Sequence, residues 1–267
     1  MQRRRSRIPA PCPALAILDW GIGGLGFFRL LRERRPRVPV TYLSDSGEIA
    51  YGKLSRRQLI ERLQVIVPFL QRHGVTRLVV ACNAMSTVLP LAENRDPGSL
   101  PMIGVISPTI EFVRKTALCR IGIVGGRRTI LSGSYRVPLT AAGKIVSQRI
   151  AQPLSALIEA GRAETPGFAR TLHKIASPLR KADALVLGCT HYSAAAGLFQ
   201  RVLPDATIID PASLTLSWVL KHWPLPPASG PDVFMTTGSA EEMMQSARIA
   251  FGVHLPAVIV VDKKLAG

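Results

Sequence analysis

The stretch LVLGCTHY, residues 185–192, decides the fold that the sequence predicts. Its first three residues are apolar, a glycine ends the run, and Cys189, Thr190 and His191 follow directly. A short apolar run bounded by a turn residue is typical of a buried strand in a parallel sheet. Because ligands bind beyond the carboxyl ends of such strands, we predict that these three polar side chains face a ligand.

A second stretch, LVVACN at residues 78–83, follows the same plan and places Cys82 and Asn83 after an apolar run. A lone strand-end cysteine most often only packs, since free cysteine is among the most buried residue types. Two thiols at equivalent points favour a functional interpretation. We therefore predict two halves that each contribute one thiol to a shared site.

The rest of the chain alternates apolar runs with helical patterns, which predicts an α/β fold with parallel sheets. The first apolar run, residues 14–18, ends at Asp19 and Trp20 and is followed by a glycine-rich turn. Such a turn leads into a helix N-terminus, which favours a nearby anion. Ser55 and Gln58 form a capping-box pattern that predicts the start of a later helix.

The chain has 267 residues, 47% of them hydrophobic, and a formal net charge of +17. This composition supplies a sizeable core, and the charge favours anionic ligands. Beyond the first few residues the basic side chains are scattered, without an aromatic-interleaved patch. We therefore expect no nucleic-acid partner. Residues 1–13 are basic and then proline-rich, and we expect a disordered tail there.

Four cysteines occur without CxxC or zinc-like spacing, which indicates free thiols in a reducing compartment and no metal site. No apolar run approaches the roughly 20 residues that a membrane span needs, so we expect no membrane association and a cytoplasmic location.

A thiolate facing a thiol across a pocket places a base and an acid on opposite faces of a ligand. An unperturbed thiol has a pKa of about 8.5, which a nearby imidazolium or helix N-terminus lowers. This pair suits removing a proton from carbon and returning one from the other side, which inverts a stereocentre. The reaction needs no metal, nucleotide or pyridoxal group, and we predict no cofactor.

Four motifs resemble the signatures of glutamate racemases of the Asp/Glu racemase superfamily. They are DWGIGG at residues 19–24, Tyr51-Gly52, ACN at residues 81–83 and GCTHY at residues 188–192. Their order and spacing match along nearly the whole chain after about residue 14.

The resemblance implies two pseudo-symmetric flavodoxin-like α/β domains with the active site in the cleft between them. The first domain would comprise residues 14–105 and 211–255, and the second residues 106–210. It also implies a cofactor-independent enzyme that interconverts L- and D-glutamate and supplies D-glutamate for peptidoglycan synthesis. The expected partner is a small amino acid, and the expected assembly is a homodimer.

The resemblance also implies roles for individual residues. Cys82 would take the α-proton from D-glutamate, and Cys189 would take it from L-glutamate. Four positions match acidic and imidazole groups that assist the thiols: Asp19, Asp45, Glu159 and His191. Four further positions match substrate contacts, with Asn83 and Thr190 at the α-carboxylate and Tyr51 and Gly52 at the side-chain carboxylate.

The sequence departs from the family pattern near the ligand. Trp20 replaces a serine, Ala84 and Gly126 each replace a threonine, and Ala50 replaces a proline. Trp20 and Ala84 thus stand at substrate-binding positions without the usual hydroxyl. Two alternatives therefore stay open: a racemase for another amino acid such as aspartate, and a homologue whose site has drifted to binding alone.

Overall fold

The computed structural model describes residues 14–89, 100–227 and 230–265. The predicted tail, residues 1–13, lies outside the described residues. The strands of the described part form two sheets in which all neighbours are parallel. This confirms the predicted α/β class with parallel sheets.

The first sheet has the order β10-β9-β2-β1-β3-β4. Its strands in chain order are β1 (Leu15–Asp19), β2 (Val40–Ser44), β3 (Arg77–Val80), β4 (Met102–Gly104), β9 (Val233–Thr236) and β10 (Ile259–Val260). The second sheet has the order β6-β5-β7-β8. Its strands are β5 (Arg120–Gly125), β6 (Ile145–Ile150), β7 (Ala184–Gly188) and β8 (Thr207–Ile209). The two cysteine stretches thus follow β3 in one sheet and β7 in the other.

Helices connect the strands. In chain order they are α1 (Leu25–Arg34), α2 (Arg56–Arg72), α3 (Asn83–Ser86), α4 (Ile106–Arg114), α5 (Arg127–Leu131), α6 (Arg136–Ala141), α7 (Gln152–Glu159), α8 (Pro166–Ala176), α9 (Ala196–Val202), α10 (Pro211–His222) and α11 (Ala240–Phe251). Short 3₁₀ turns cover Tyr51–Lys53, Ser177–Leu179 and Thr190–Ala195. None of these described helices is long and apolar enough to cross a bilayer.

Local sequence explains where several elements begin. The Ser55–Gln58 capping box forms as predicted, with each side chain bonded to the backbone of the other residue, and α2 starts directly after it. The five residues of β1 are all buried, since this strand lies inside its sheet with helices on both faces.

The packing of the two helices that link the sheets bears on the domain boundaries. Ile106 and Val113 of α4 pack in a core with strands of the second sheet. Ala212 and Leu216 of α10 pack in a core with strands of the first. On this basis we propose that the domains divide after residues 105 and 210. The first sheet itself extends to Val260, beyond the domain end expected at residue 255.

Candidate active site

A cavity of about 360 Å³ lies where the carboxyl ends of strands from both sheets meet. Segments after β1, β3, β5 and β7, the 3₁₀ turn Tyr51–Lys53 and helix α7 surround it. The lining residues are Asp19, Trp20, Ala50, Tyr51, Gly52, Lys53, Cys82, Asn83, Ala84, Gly126, Thr129, Gln152, Ser155, Ala156, Glu159, Gly188, Cys189, Thr190 and His191. The structure therefore brings both strand-end thiols to one cavity.

Cys82 follows β3 and is the N-cap residue of α3. Its side chain is buried, and Asp19 at the end of the neighbouring strand β1 lies close to it. Burial raises the pKa of the Cys82 thiol well above its ordinary value, and the negative charge of Asp19 raises it further. Cys82 therefore rests as a neutral thiol, which is a proton donor.

Cys189 follows β7 and is only partly buried. Its Sγ lies 3.8 Å from Nδ1 of His191, and Nε2 of that ring lies 3.6 Å from Oε2 of Glu159. The second distance suits an ion pair but is too long for a hydrogen bond. Burial lowers the pKa of His191, yet Cys189 and Glu159 together outweigh it, and the net pKa is raised well above the ordinary value. An imidazolium therefore lies beside the sulfur of Cys189.

Direct contacts join the two sheets at the cavity. The Thr190 hydroxyl donates to Oδ2 of Asp19 at 3.0 Å, and the backbone N–H of Trp20 donates to Oδ1 at 2.7 Å. Gly23 permits this approach, because a Cβ atom there would collide with the Thr190 hydroxyl. Asp19 thus contacts both halves of the cavity.

A tyrosine of the second half orients the amide of Asn83. The Tyr135 hydroxyl, fully buried, donates to Oδ1 of Asn83 at 2.8 Å. Because Oδ1 accepts this bond, the two N–H donors of the Asn83 amide stay available to a ligand. Sequence reasoning missed Tyr135, since only the tertiary packing brings it to Asn83.

Trp20 holds the loop that follows β2 against the cavity. Its indole Nε1 donates to the carbonyl oxygen of Glu48 at 2.9 Å. Ala50, Tyr51 and Gly52 follow in the same loop and line the cavity. The bulky indole therefore occupies space that a serine would leave open.

Asp45 is fully buried and does not border the cavity. The Arg62 guanidinium binds both of its carboxylate oxygens, and the hydroxyls of Tyr51 and Thr237 donate to the same carboxylate. These donors occupy the carboxylate, whose direct partners are side chains of the fold. Of the four predicted assisting groups, the structure brings Asp19, Glu159 and His191 to the cavity but not Asp45.

Several lining residues were not predicted. They are Lys53, Thr129, Gln152, Ser155 and Ala156. For Gln152 the signal was available, because it lies two residues beyond the carboxyl end of β6. Within the described ranges, no three His, Cys, Asp or Glu side chains cluster in a way that could hold a metal ion.

Comparisons with known proteins identify the family of the chain. Residues 36–217 match the family model Asp/Glu/Hydantoin racemase. The chain is 32% identical over 260 residues to a glutamate racemase of Picosynechococcus, covering 94% of this chain and 92% of that protein. Glutamate racemase from Thermus thermophilus in complex with beta-chloro-D-alanine superposes with a TM-score of 0.84 at 27% identity, covering 96% of this chain and 99% of the other.

A second solved structure gives a similar result. Glutamate racemase isoform RacE1 from Bacillus anthracis superposes with a TM-score of 0.83 at 28% identity, covering 94% of this chain and 98% of the other. The family model covers more than half of the chain, and the curated relative spans nearly all of it. The chain therefore belongs to the Asp/Glu/Hydantoin racemase family.

Proposed function

We propose that this protein is a glutamate racemase that interconverts L- and D-glutamate without a cofactor. The observation that carries the proposal is the convergence of Cys82 and Cys189, from two different sheets, on one cavity. Membership of the racemase family and the similarity to glutamate racemases support glutamate as the substrate.

In the proposed mechanism one thiolate removes the α-proton and the opposite thiol returns a proton to the other face. Cys82 takes the proton from D-glutamate, and Cys189 takes it from L-glutamate. The neutral thiol of Cys82 suits the direction from L- to D-glutamate, in which Cys82 returns the proton, and the imidazolium lies beside Cys189, which removes it. In the direction from D- to L-glutamate, Cys82 must first give up its own proton, which the nearby Asp19 carboxylate is placed to accept.

The substrate carboxylates require donors from both halves. The free N–H groups of Asn83 suit the α-carboxylate, as does the Thr190 hydroxyl. Because that hydroxyl donates to Asp19 in the structure, it must exchange this bond for one to the substrate. The backbone at Tyr51 and Gly52 receives the side-chain carboxylate, and Lys53 adds a positive charge to the same wall.

We further propose that the product supplies D-glutamate for peptidoglycan synthesis in the cytoplasm. The free thiols Cys82, Cys119 and Cys189 support a reducing compartment. A homodimer is the proposed assembly. The scattered positive charge favours an anionic amino acid over a nucleic acid as the partner.

Hydrogen exchange at Cα tests the reaction directly. Wild-type protein in heavy water should place deuterium at Cα of both glutamate enantiomers. The circular dichroism signal should decay to zero whether the reaction starts from L- or from D-glutamate. A protein that exchanges neither enantiomer would not be a glutamate racemase.

One observation favours a second candidate, a racemase for a shorter acidic amino acid such as aspartate. The Trp20 indole narrows the cavity, and Ala84 and Gly126 offer no hydroxyl to a ligand. A panel of amino acids, each followed by circular dichroism, separates the two candidates. Faster racemisation of aspartate than of glutamate would support the second.

A further inference from the structure

The side chain of Gln152 lies between two glycines at the wall of the cavity. Gln152 is the first residue of α7 and borders the cavity. A Cβ atom added to Gly126 would lie 3.0 Å from its Oε1, and one added to Gly52 would lie 3.4 Å from the same atom. The amide therefore uses the space that side chains at both positions would otherwise fill.

One hydrogen bond fixes the orientation of this amide. The backbone N–H of Arg127 donates to Oε1 of Gln152 at 3.0 Å. An N–H group only donates, so the atom that faces Arg127 must be the oxygen and not the nitrogen. The Nε2 group, with two N–H donors, has no hydrogen-bond partner among the described residues. Gln152 Nε2 thus has unused donors at this wall.

The position of Gln152 coincides with a departure from the family pattern. At Gly126 the resemblance predicts a threonine, whose hydroxyl this chain lacks, and Gln152 Oε1 lies against that site. Gly52, proposed to receive the side-chain carboxylate, adjoins the same amide, whose Nε2 lies 3.8 Å from a Cβ built there. A donor is thus missing at Gly126 and available on Gln152.

We propose that Gln152 determines specificity by donating a hydrogen bond from Nε2 to the distal carboxylate of the substrate, in place of the hydroxyl absent at Gly126. This inference rests on the proposed function, because it takes the substrate to be an amino acid with a second carboxylate. A residue that only packed against the two glycines would need its length but not its donor.

Two isosteric substitutions separate these roles. Gln152→Met keeps the length of the side chain and removes the donor, and the KM for glutamate should rise about 10- to 100-fold while kcat changes much less. Gln152→Glu keeps the shape but places a negative charge against the distal carboxylate. In heavy water, the ratio of Cα exchange with glutamate to that with glutamine should fall further in the Glu variant than in the Met variant.

A rescue experiment ties the effect to Gly126. Gly126→Thr alone brings a Cβ to 3.0 Å from Oε1 of Gln152, and we expect it to weaken glutamate binding. In a Gln152→Ala background the same substitution has room and restores a hydroxyl, so it should lower the KM that Gln152→Ala raises.

The outcomes distinguish this inference from the proposed function. If the wild type racemises glutamate and Gln152→Met keeps its KM within about twofold, the inference is overturned and the proposed function stands. If Gly126→Thr fails to lower the KM of Gln152→Ala, the amide does not replace the missing hydroxyl. If the wild type exchanges neither enantiomer of glutamate, both the proposed function and the inference are overturned.

Discussion

Cys82 and Cys189 follow the same kind of strand, yet the two halves of the cavity give them different neighbours. Cys82 is buried beside the carboxylate of Asp19, which raises the pKa of its thiol together with burial. Cys189 is partly exposed and lies 3.8 Å from an imidazole that Glu159 supports. The Cys82 thiol is thus held neutral, and the Cys189 sulfur lies beside an imidazolium.

The equilibrium between the enantiomers limits how far this difference can affect the kinetics. Free L- and D-glutamate have equal free energies in water, so kcat/KM must be equal in the two directions. The unequal environments of the thiols can therefore make kcat, KM and their pH dependence differ between L- and D-glutamate. They cannot make kcat/KM differ between the two enantiomers. Equivalent strand ends therefore bring the two thiols to one cavity without giving them equal chemistry.

The largest effect should come from removing either thiol. A serine hydroxyl is a far weaker acid than a thiol, and Cys82→Ser and Cys189→Ser should each lower kcat for racemisation at least about 10³-fold. The measurement is circular dichroism starting from each enantiomer. Cys119→Ser is the matched control, because that thiol is exposed and does not border the cavity. Full activity in either active-site variant would refute the two-thiol mechanism.

Asp45→Asn tests whether Cys82 is assisted by a second carboxylate besides Asp19. Removing the charge leaves the Arg62 guanidinium without its ionic partner, and a broken buried pair costs about 3 kcal/mol or more. The melting temperature should fall by roughly 6–12 °C, while kcat stays within about threefold. Differential scanning calorimetry and the racemisation assay provide the two measurements. Unchanged stability with lost activity would instead place Asp45 in the chemistry.

Glu159→Gln tests the electrostatic support of the Cys189 half. A raised pKa keeps His191 protonated at neutral pH, and the imidazolium is lost as the pH rises through that pKa. Without the Glu159 charge the pKa of His191 falls, so the alkaline loss of kcat should begin at lower pH. At the pH optimum of the wild type, we expect kcat for L-glutamate to fall roughly 10-fold.

The control for this pH profile is Glu164→Gln. It removes the same charge from an exposed residue that does not border the cavity. Its profile should match the wild type. An unshifted profile in Glu159→Gln would show that Glu159 does not support His191.

The strand-end rule accounts for most of what the sequence predicted. It placed Cys82, Asn83, Cys189 and His191 at the carboxyl ends of strands, because apolar strands and their polar ends are both local features. The short edge strand Ile259–Val260 was missed, since two residues carry no pattern and only pairing with β9 defines them. Helix α3 begins at Asn83, directly after Cys82, and no side-chain cap marks its start.

The remaining parts of the site depend on contacts between distant segments. Asp45 also follows a strand, but Arg62 of α2 binds its carboxylate, and no local pattern reveals this. Tyr135 reaches Asn83 across 52 residues of chain. Gln152 was within reach of the strand-end rule, yet its role depends on its fit against Gly52 and Gly126.

Tyr135→Phe should produce the smallest effect and test how the Cys82 half orients the substrate. Without the Tyr135 hydroxyl, the Asn83 amide loses the bond that holds its oxygen away from the ligand. A neutral hydrogen bond is worth about 0.5–1.5 kcal/mol, so KM for glutamate should rise roughly 2- to 10-fold with kcat nearly unchanged. Steady-state kinetics with both enantiomers measure this split.

A double-mutant cycle separates orientation of Asn83 from a general loss of stability. If Tyr135 acts through Asn83, then Tyr135→Phe should change KM very little in an Asn83→Ala background, because the amide that it orients is gone. A purely structural role would instead raise KM by the same factor in both backgrounds. Additive effects would therefore mean that the second half of the molecule supports Asn83 by packing alone, and that the contact between Tyr135 and Asn83 does not contribute to substrate binding.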